Sequence, residues 1–499
     1  MSRAAHLLGI DVSTTATKAV LVDAGGRVAA VGSSPHGLAT PRPLWAEQEP
    51  DEWWGAARAA VGEALVAASA EAASVVAVGL TGQMHGLVLL DAAGSVLRPA
   101  ILWNDQRAAA QCEEIRRRVG LERLVRITGN DAYPGFSAPK LLWVREHEPE
   151  VYGRIRHVLL PKDYLRWRLT GEPATDRAGA GGTLLLDLAA RDWSRELLET
   201  LEIPAGWLPA THEGTEITGR VTAEAASATG LAAGTPVVGG GGDQAAQAVG
   251  VGAVRPGVVA LTLGTSGVVF AATDRPVSEP KGRLHAFPHA VPGSWHVMGV
   301  MLSAAGSLRW YRDTVAPGMA YDDLLREAEE IERGAEELFF LPYLSGERTP
   351  HADPGARGAF VGLTLKHTRA HMTRAVIEGV ACGLRDNLTL MAELGLGDVR
   401  EVRLSGGAAA SRLWRRVLAD CLGVELVPAE AAEAAALGAA LLAGVGAGIW
   451  RSVEDACAAA VRLSPPTGFD PDGRRAYDPV YRRFREHYPA LAPLFSRTT

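Results

Sequence analysis

A chain of 499 residues has room for about two to four domains, and 47% apolar with 21% charged residues is the balance of a globular protein with ample core. The formal charge of −7, without a basic block, argues against nucleic acid as a partner. The four cysteines, Cys112, Cys382, Cys421 and Cys457, lie far apart and form no CxxC pair, which speaks against a zinc site or disulfide framework and fits a reducing cytoplasm.

Met1 to Asp11 has no long apolar core, so no signal peptide is expected. His6 to Val12 reads as a strand and Lys18 to Val22 as the next; Asp23-Ala24-Gly25-Gly26 is turn chemistry leading to a third strand from Arg27. Pro50 to Ala70 predicts a helix with Asp51 and Glu52 in its first turn. A strand at Ser74 to Leu80, a polar loop at Gly82 to Gly86 and a strand at Leu87 to Leu90 follow. The run Gly239-Gly240-Gly241-Gly242 then exposes bare backbone for a substrate and ends at Asp243, ahead of the buried helix start Ala245 to Val249. A carboxylate on such a turn is where a general base would sit; the plainer reading is an Asp N-cap.

Around Arg255 the pattern restarts. Val258 to Leu263, the turn Gly264-Thr265-Ser266-Gly267 and Val268 to Ala271 mirror the first hairpin, Leu7 to Ile10, Asp11 to Thr15 and Ala19 to Val22. Two such hairpins, each heading one half of the chain, predict two related α/β domains, 1–252 and 253–499, facing a shared cleft. Downstream come a strand at Trp295 to Met301, a helix at Ser303 to Asp313, a polar loop at Tyr343 to Gly362 and a long helix over Arg369 to Leu394. The strand Glu401 to Leu404 and the helix Arg412 to Leu422 flank Ser405-Gly406-Gly407-Ala408-Ala409-Ala410-Ser411. Ala434 to Trp450 is uncharged, but it is short of the ~20 residues that span a bilayer and rich in Ala and Gly, so it reads as a helix packed inside the protein. The last helix, about Arg474 to Tyr488, aligns Tyr477, Tyr481, Phe484 and Tyr488 on one packing face.

Both hairpin turns are candidate phosphate cradles: Ser13, Thr14 and Thr15 in one, Gly264 and Thr265 in the other, supplying hydroxyls and backbone N–H groups. There is no GxxxxGK[ST] and so no P-loop. Asp11, at the end of the first strand, is placed to hold Mg²⁺ directly or through water. Gly407 to Ser411 opens a helix, where backbone amides favour phosphate. Met84 and His85, with Trp103, Asn104, Asp105 and Arg107, read as polyol-recognition loops: sugar hydroxyls need fixed donors and acceptors, and an indole offers a flat wall. Ser345 to His351 is a further dense polar loop, read as closing one side of the cleft.

The stretch Gly358-Ala359-Phe360-Val361-Gly362-Leu363, through His371-Met372 to Ala375-Val376-Ile377-Glu378, resembles the long C-terminal signature of the FGGY carbohydrate kinases, and the resemblance extends over about residues 5 to 490. It implies two actin/hexokinase-like (ribonuclease H-like) ATPase domains flanking a central cleft. The loops at Gly82 to Gly86, Trp103 to Arg107, Gly240 to Asp243 and Ser345 to His351 look most like members acting on D-xylulose. The implied activity is ATP- and Mg²⁺-dependent phosphorylation of that sugar in xylose catabolism, with room for a homodimer and no nucleic-acid or membrane partner. Carried over by matching position, Asp243 is the base, Met84 and His85 contact the sugar, Asp11 serves metal and phosphates, and Lys18, Gly264, Thr265, Gly306, Gly407 and Ser411 line the nucleotide site. Ser13 stands where many relatives have Gly, and Gln244 where Asn is frequent. Two alternatives stay open: a kinase of the same fold for L-ribulose, glycerol or gluconate, and a non-kinase actin-fold ATPase.

Overall fold

The apolar runs at the N-terminus form a meander, β1 (His6–Val12), β2 (Ala16–Asp23) and β3 (Val28–Pro35), in a computed structural model that describes residues 5–430 and 432–495. Helix α1 (Pro50–Ala67) packs on β2 and β3, and β4 (Val75–Gly82) then pairs parallel to β1. The strands β5 (Ile217–Arg220), β6 (Pro236–Val238) and β7 (Gly241–Gly242) complete a sheet of order β5-β6-β4-β1-β2-β3, with β7 also on β4.

Helix α2 (Asp243–Gly250) leads out of this sheet into a second one: β8 (Val258–Leu263), β9 (Gly267–Thr273), β10 (His285–Pro288), β11 (Trp295–Met301), β12 (Glu401–Ser405) and β13 (Leu426–Pro428). Its order is β10-β11-β9-β8-β12-β13. The runs β3-β2-β1-β4 and β11-β9-β8-β12 repeat one topology, an antiparallel meander whose first strand pairs parallel with a later one. The two polar hairpin turns therefore occupy equivalent places in the two sheets. One face of the second sheet carries α3 (Ala305–Val315) and the long α4 (Arg369–Glu393), with α5 (Arg412–Leu422) behind them. Its other face packs into the helical insertion of the first half.

The uncharged stretch becomes α6 (Ala434–Gly446), and among the described residues no helix is long and apolar enough to cross a membrane. This helix lies not on the second sheet but on β1, β4 and α2, so the packing exchanges one helix across the expected boundary near residue 252. Glycines allow the contact: a Cβ on Gly9 would stand 1.9 Å from the Ala436 carbonyl oxygen, and one on Gly79 1.9 Å from that of Ala439. Gly9→Ala is accordingly expected to cost about 1–3 kcal/mol, the usual penalty of overpacking. A denaturant midpoint equal to wild type would show that helix and strand can separate freely.

Three expectations are corrected. Gly242, not Asp243, is the N-cap of α2, and Asp243 is its first helical residue. The polar loop Tyr343 to Gly362 contains a strand, Ala359–Val361, paired with Phe339–Leu341 because Phe360 packs on Phe340 with ring centroids 4.7 Å apart. The last helix, α7, runs over Pro471–Phe495 and buries Tyr477, Tyr481 and Phe484.

Candidate active site

Three parallel strand ends place the acidic residues. Asp11 of β1 pairs with Thr81 of β4, which pairs with Gly241 of β7; one residue on, Val12, Gly82 and Gly242 form the next row. Asp243 follows at the first turn of α2. Of the glycines before it, Gly239 and Gly240 make room for neighbouring backbone, which corrects the substrate-approach reading for those two. Gly240 has φ +70°, and a Cβ there would stand 1.9 Å from the Leu80 carbonyl oxygen; on Gly239 it would stand 2.2 Å from that of Glu213.

Asp243 is half-buried, and its Oδ1 accepts the Gln244 N–H at 2.8 Å. Burial raises its carboxyl to about 6, against the lowering effect of the Gln244 backbone and side-chain hydrogen bonds. Asp11 is pushed to about 7, first by burial and then by the charge of Asp243, with Lys18 opposing. Asp11 Oδ1 is buried without a hydrogen-bond partner, as are Thr81 Oγ1 and Thr17 Oγ1 nearby in the ladder. Asp11 and Thr81 share one face of the sheet, so their two unpartnered oxygens lie together there, while Thr17, opposite Val12, faces the other side.

Met84 and His85 meet this row. A Cβ on Gly242 would lie 2.8 Å from Met84 Sδ, and one on Gly182 would lie 2.8 Å from His85 Nδ1 and 2.9 Å from Met84 Cε. His85 has φ +72°, a left-handed conformation that costs a non-glycine residue about 1–3 kcal/mol and recurs at ligand sites. Its Nδ1 bonds the Gly182 carbonyl at 2.6 Å, so Nδ1 carries the proton and Nε2 is left as an acceptor. Burial holds the imidazole down at about 3, hence neutral, with Lys140 and Arg348 reinforcing it. The Phe136 ring meets it edge-on at 4.7 Å.

The loop Trp103 to Arg107 divides. Trp103 and Asn104 are exposed, and the Trp103 indole donates to Thr14 Oγ1 at 3.0 Å, tying this loop to the first hairpin turn. Asp105 and Arg107, expected to bind substrate, are spent on structure: Arg107 Nη2 meets Asp105 Oδ2 at 2.7 Å, Arg107 Nη1 meets Glu47 at 2.7 Å, and both side chains are essentially inaccessible. The Arg107 guanidinium also stacks over Trp45 at 3.6 Å. Ser13 closes its own turn, its hydroxyl donating to the Ala16 carbonyl at 2.7 Å, while Thr14 and Thr15 form the tip. Gln48, which no local pattern singled out, braces that tip: its Nε2 donates to the Thr14 carbonyl at 2.7 Å and its Oε1 accepts from Gln83 at 2.9 Å.

In the second half, Gly264, Thr265, Gly306, Gly407 and Ser411 come together in one cavity of about 660 Å³. The Thr265 carbonyl accepts the N–H groups of Ala304 and Gly306, which seats the N-terminus of α3 on the hairpin turn. Ser411 caps α5 by accepting the Trp414 N–H at 3.3 Å. Tyr321, Leu325 and Ala408 supply apolar walls, and Arg309 donates to Thr265 Oγ1 at 3.2 Å. Of these, Arg309, Tyr321 and Leu325 come from segments that carry no local sequence signal of a ligand site, while Ala408 lies within the Gly407 to Ser411 run.

Two α/β sheets of repeated topology, each with a polar hairpin turn at the equivalent place, with two carboxylates at the strand ends of one and a ligand-sized cavity beside the other, are the architecture of the actin/hexokinase-like class. The chain matches the FGGY family of carbohydrate kinases, N-terminal domain over residues 6–250 and C-terminal domain over residues 259–447, and it belongs to that family. It is 44% identical over 499 residues to a xylulose kinase of Escherichia coli (strain K12), covering 98% of this chain and 100% of the relative. A crystal structure of a xyloylose kinase from Brucella ovis matches with a TM-score of 0.92 at 40% identity, over 98% of this chain and 100% of that one. A gluconate kinase structure from Lactobacillus acidophilus matches with a TM-score of 0.95 at 28% identity, over 99% and 100%.

Proposed function

We propose that this carbohydrate kinase transfers the γ-phosphoryl group of ATP to O5 of D-xylulose, giving D-xylulose 5-phosphate and ADP. The observation that carries the reading is the convergence of Asp243 with Met84 and His85 at strand ends shared with Asp11. Residues 1–252 supply the sugar pocket and the base, and residues 253–499 the nucleotide cavity. Asp243, raised to about 6, is mostly ionised at neutral pH yet basic enough to take the O5 proton as that oxygen attacks phosphorus. His85 Nε2 accepts a sugar hydroxyl, Met84 fills the apolar side, and Trp103 with Asn104 borders the loop. In-line positioning and charge neutralisation dominate such transfers.

Asp11 fits a divalent cation: its buried Oδ1 has no partner, and the proton affinity that burial gives it is what a cation would satisfy. Mg²⁺ bound there, directly or through water, would neutralise phosphate charge. Among the described residues no group of three or more His, Cys, Asp or Glu forms a candidate metal cage, in keeping with an ion that takes its other ligands from phosphate and water. Four free, buried cysteines support a cytoplasmic setting.

The choice of D-xylulose rests on the xylulose kinases among the relatives and on the Met84–His85 loop; the gluconate kinase likeness makes gluconate the competitor to exclude. ADP release with MgATP should be measured against D-xylulose, L-ribulose, L-xylulose, glycerol, gluconate and no sugar. D-xylulose is expected to exceed each rival in kcat/KM by about tenfold or more, the lower end of the discrimination that pocket contacts provide. A preference for another polyol would overturn the specificity, and release indifferent to every sugar would overturn the transfer reaction.

A further inference from the structure

Lys18 and Glu433, 415 residues apart in the chain, meet at 2.7 Å. Lys18 lies directly across the β1–β2 ladder from Asp11. Residues so opposed carry Cβ atoms about 4.5–5.5 Å apart on one face, so Asp and Lys there form a ready ion pair. Yet Asp11 Oδ1 has no hydrogen-bond partner, and the ammonium sits on Glu433.

Glu433 holds that place because the element behind it is rigid. It is the residue before Ala434, the start of α6, and α6 touches its neighbours backbone to backbone. Gly9 and Gly79 seat it on the strands of Asp11 and Thr81, while a Cβ on Gly250 would stand 1.9 Å from the Ala434 carbonyl oxygen and one on Gly438 1.8 Å from that of Ala246. Glu433 is thereby indexed to β1, which carries Asp11, and to α2, which carries Asp243. The pair is itself partly solvated, with side-chain exposures of 31% and 26%, so it opens at little cost when a stronger anion arrives.

The geometry points to Glu433 as a positioning residue that acts through Lys18. It draws the ammonium off Asp11, which leaves that carboxylate free for a cation, and presents Lys18 beside the phosphate turn, where an incoming phosphate takes it over. This rests on the cleft being a phosphoryl-transfer site.

The test is calorimetric titration of MgADP into the full-length wild type, Glu433→Gln, Lys18→Met and the double variant, with steady-state kinetics alongside. Glu433→Gln frees Lys18 to collapse onto Asp11, and is expected to weaken MgADP about tenfold, the scale of one charge-assisted contact. KM for MgATP should rise more than kcat falls, KM for sugar should not move, and Glu433→Asp should recover most of the loss. On the Lys18→Met background Glu433→Gln should add less than about twofold, since coupled residues are not additive. Glu433→Ala serves as a second variant should Glu433→Gln fail to fold, with the same expected weakening. MgADP affinity equal to wild type, or an equal loss with and without Lys18, would reduce Glu433 to a helix-terminal residue and overturn the inference. Wild-type protein that binds MgADP but phosphorylates no sugar would overturn the reaction proposed above and leave this inference standing.

Discussion

Asp243→Ala should lower phosphoryl transfer by about 10²–10⁴-fold, the span that removal of a general base produces, while MgADP still binds. That is about 3–5 kcal/mol of barrier at 1.36 kcal/mol per tenfold. The residue opens α2 next to Gly242, on which Met84 packs, and is not among the residues lining the second-half cavity, so the loss should appear in kcat rather than in nucleotide affinity. Single-turnover rates and a calorimetric titration separate the two. Near-normal turnover would remove Asp243 from the mechanism. A pH consequence follows with a definite sign. Only the ionised carboxylate can accept the hydroxyl proton, and burial raises its carboxyl to about 6, so kcat/KM should fall as pH drops through about 6; Asp11, pushed to about 7, extends the same acid limb upward unless a bound cation holds it ionised. An acid limb at the ordinary carboxylate position, near pH 4, would mean that the base lies elsewhere or is solvated.

Arg107→Met should destabilise the protein by about 3–5 kcal/mol, because it strands a buried charge. Asp105 is inaccessible and has Arg107 and the Ala46 N–H, at 2.7 Å, as its partners; without the guanidinium its carboxylate keeps no ion pair, since Lys140 nearby donates to the carbonyl oxygens of His85, Ile101 and Leu102. Glu47 keeps Arg98, which also reaches Glu148 at 2.6 Å, so the damage centres on Asp105. Loss of the stack on Trp45 adds to it. The expected signature is a lower unfolding midpoint with KM for the sugar near that of wild type in the protein that remains folded. The reverse, an unchanged midpoint and a raised KM, would restore Arg107 as a sugar ligand. Trp103 and Asn104, four and three residues before Arg107, and Gln106 beside it are the exposed members of this loop.

The reversal at Asp105 and Arg107 shows where sequence reasoning stops. Trp103-Asn104-Asp105-Gln106-Arg107 reads as a polar loop after a strand, and polar loops facing a cleft bind polyols; the pattern is silent on which side chains turn inward. Glu47 and Trp45, which satisfy the buried pair, lie some 60 residues away, and no local periodicity reports that meeting. The glycine run misled for the same reason. Permissive backbone was legible, but whether it admits a ligand or the Leu80 carbonyl depends on what folds against it.

Local chemistry sufficed for the strand runs His6–Val12, Val258–Leu263 and Trp295–Met301, the helix Arg412–Leu422 and the two equivalent hairpins, because hydrophobic period and turn residues act within a few positions. It also singles out Asp243, a lone carboxylate at a glycine-rich strand-to-helix turn, as the base of the reaction proposed above. Tertiary structure alone decided which polar side chains are partners of one another and which are left for a ligand. Helix α6 crosses to the first sheet, Lys18 pairs with Glu433 in place of Asp11, and five residues from separate segments of the second half enclose one cavity. These are contacts between segments tens to hundreds of residues apart, set by backbone shape and desolvation, and neither quantity is written in any single stretch of the chain.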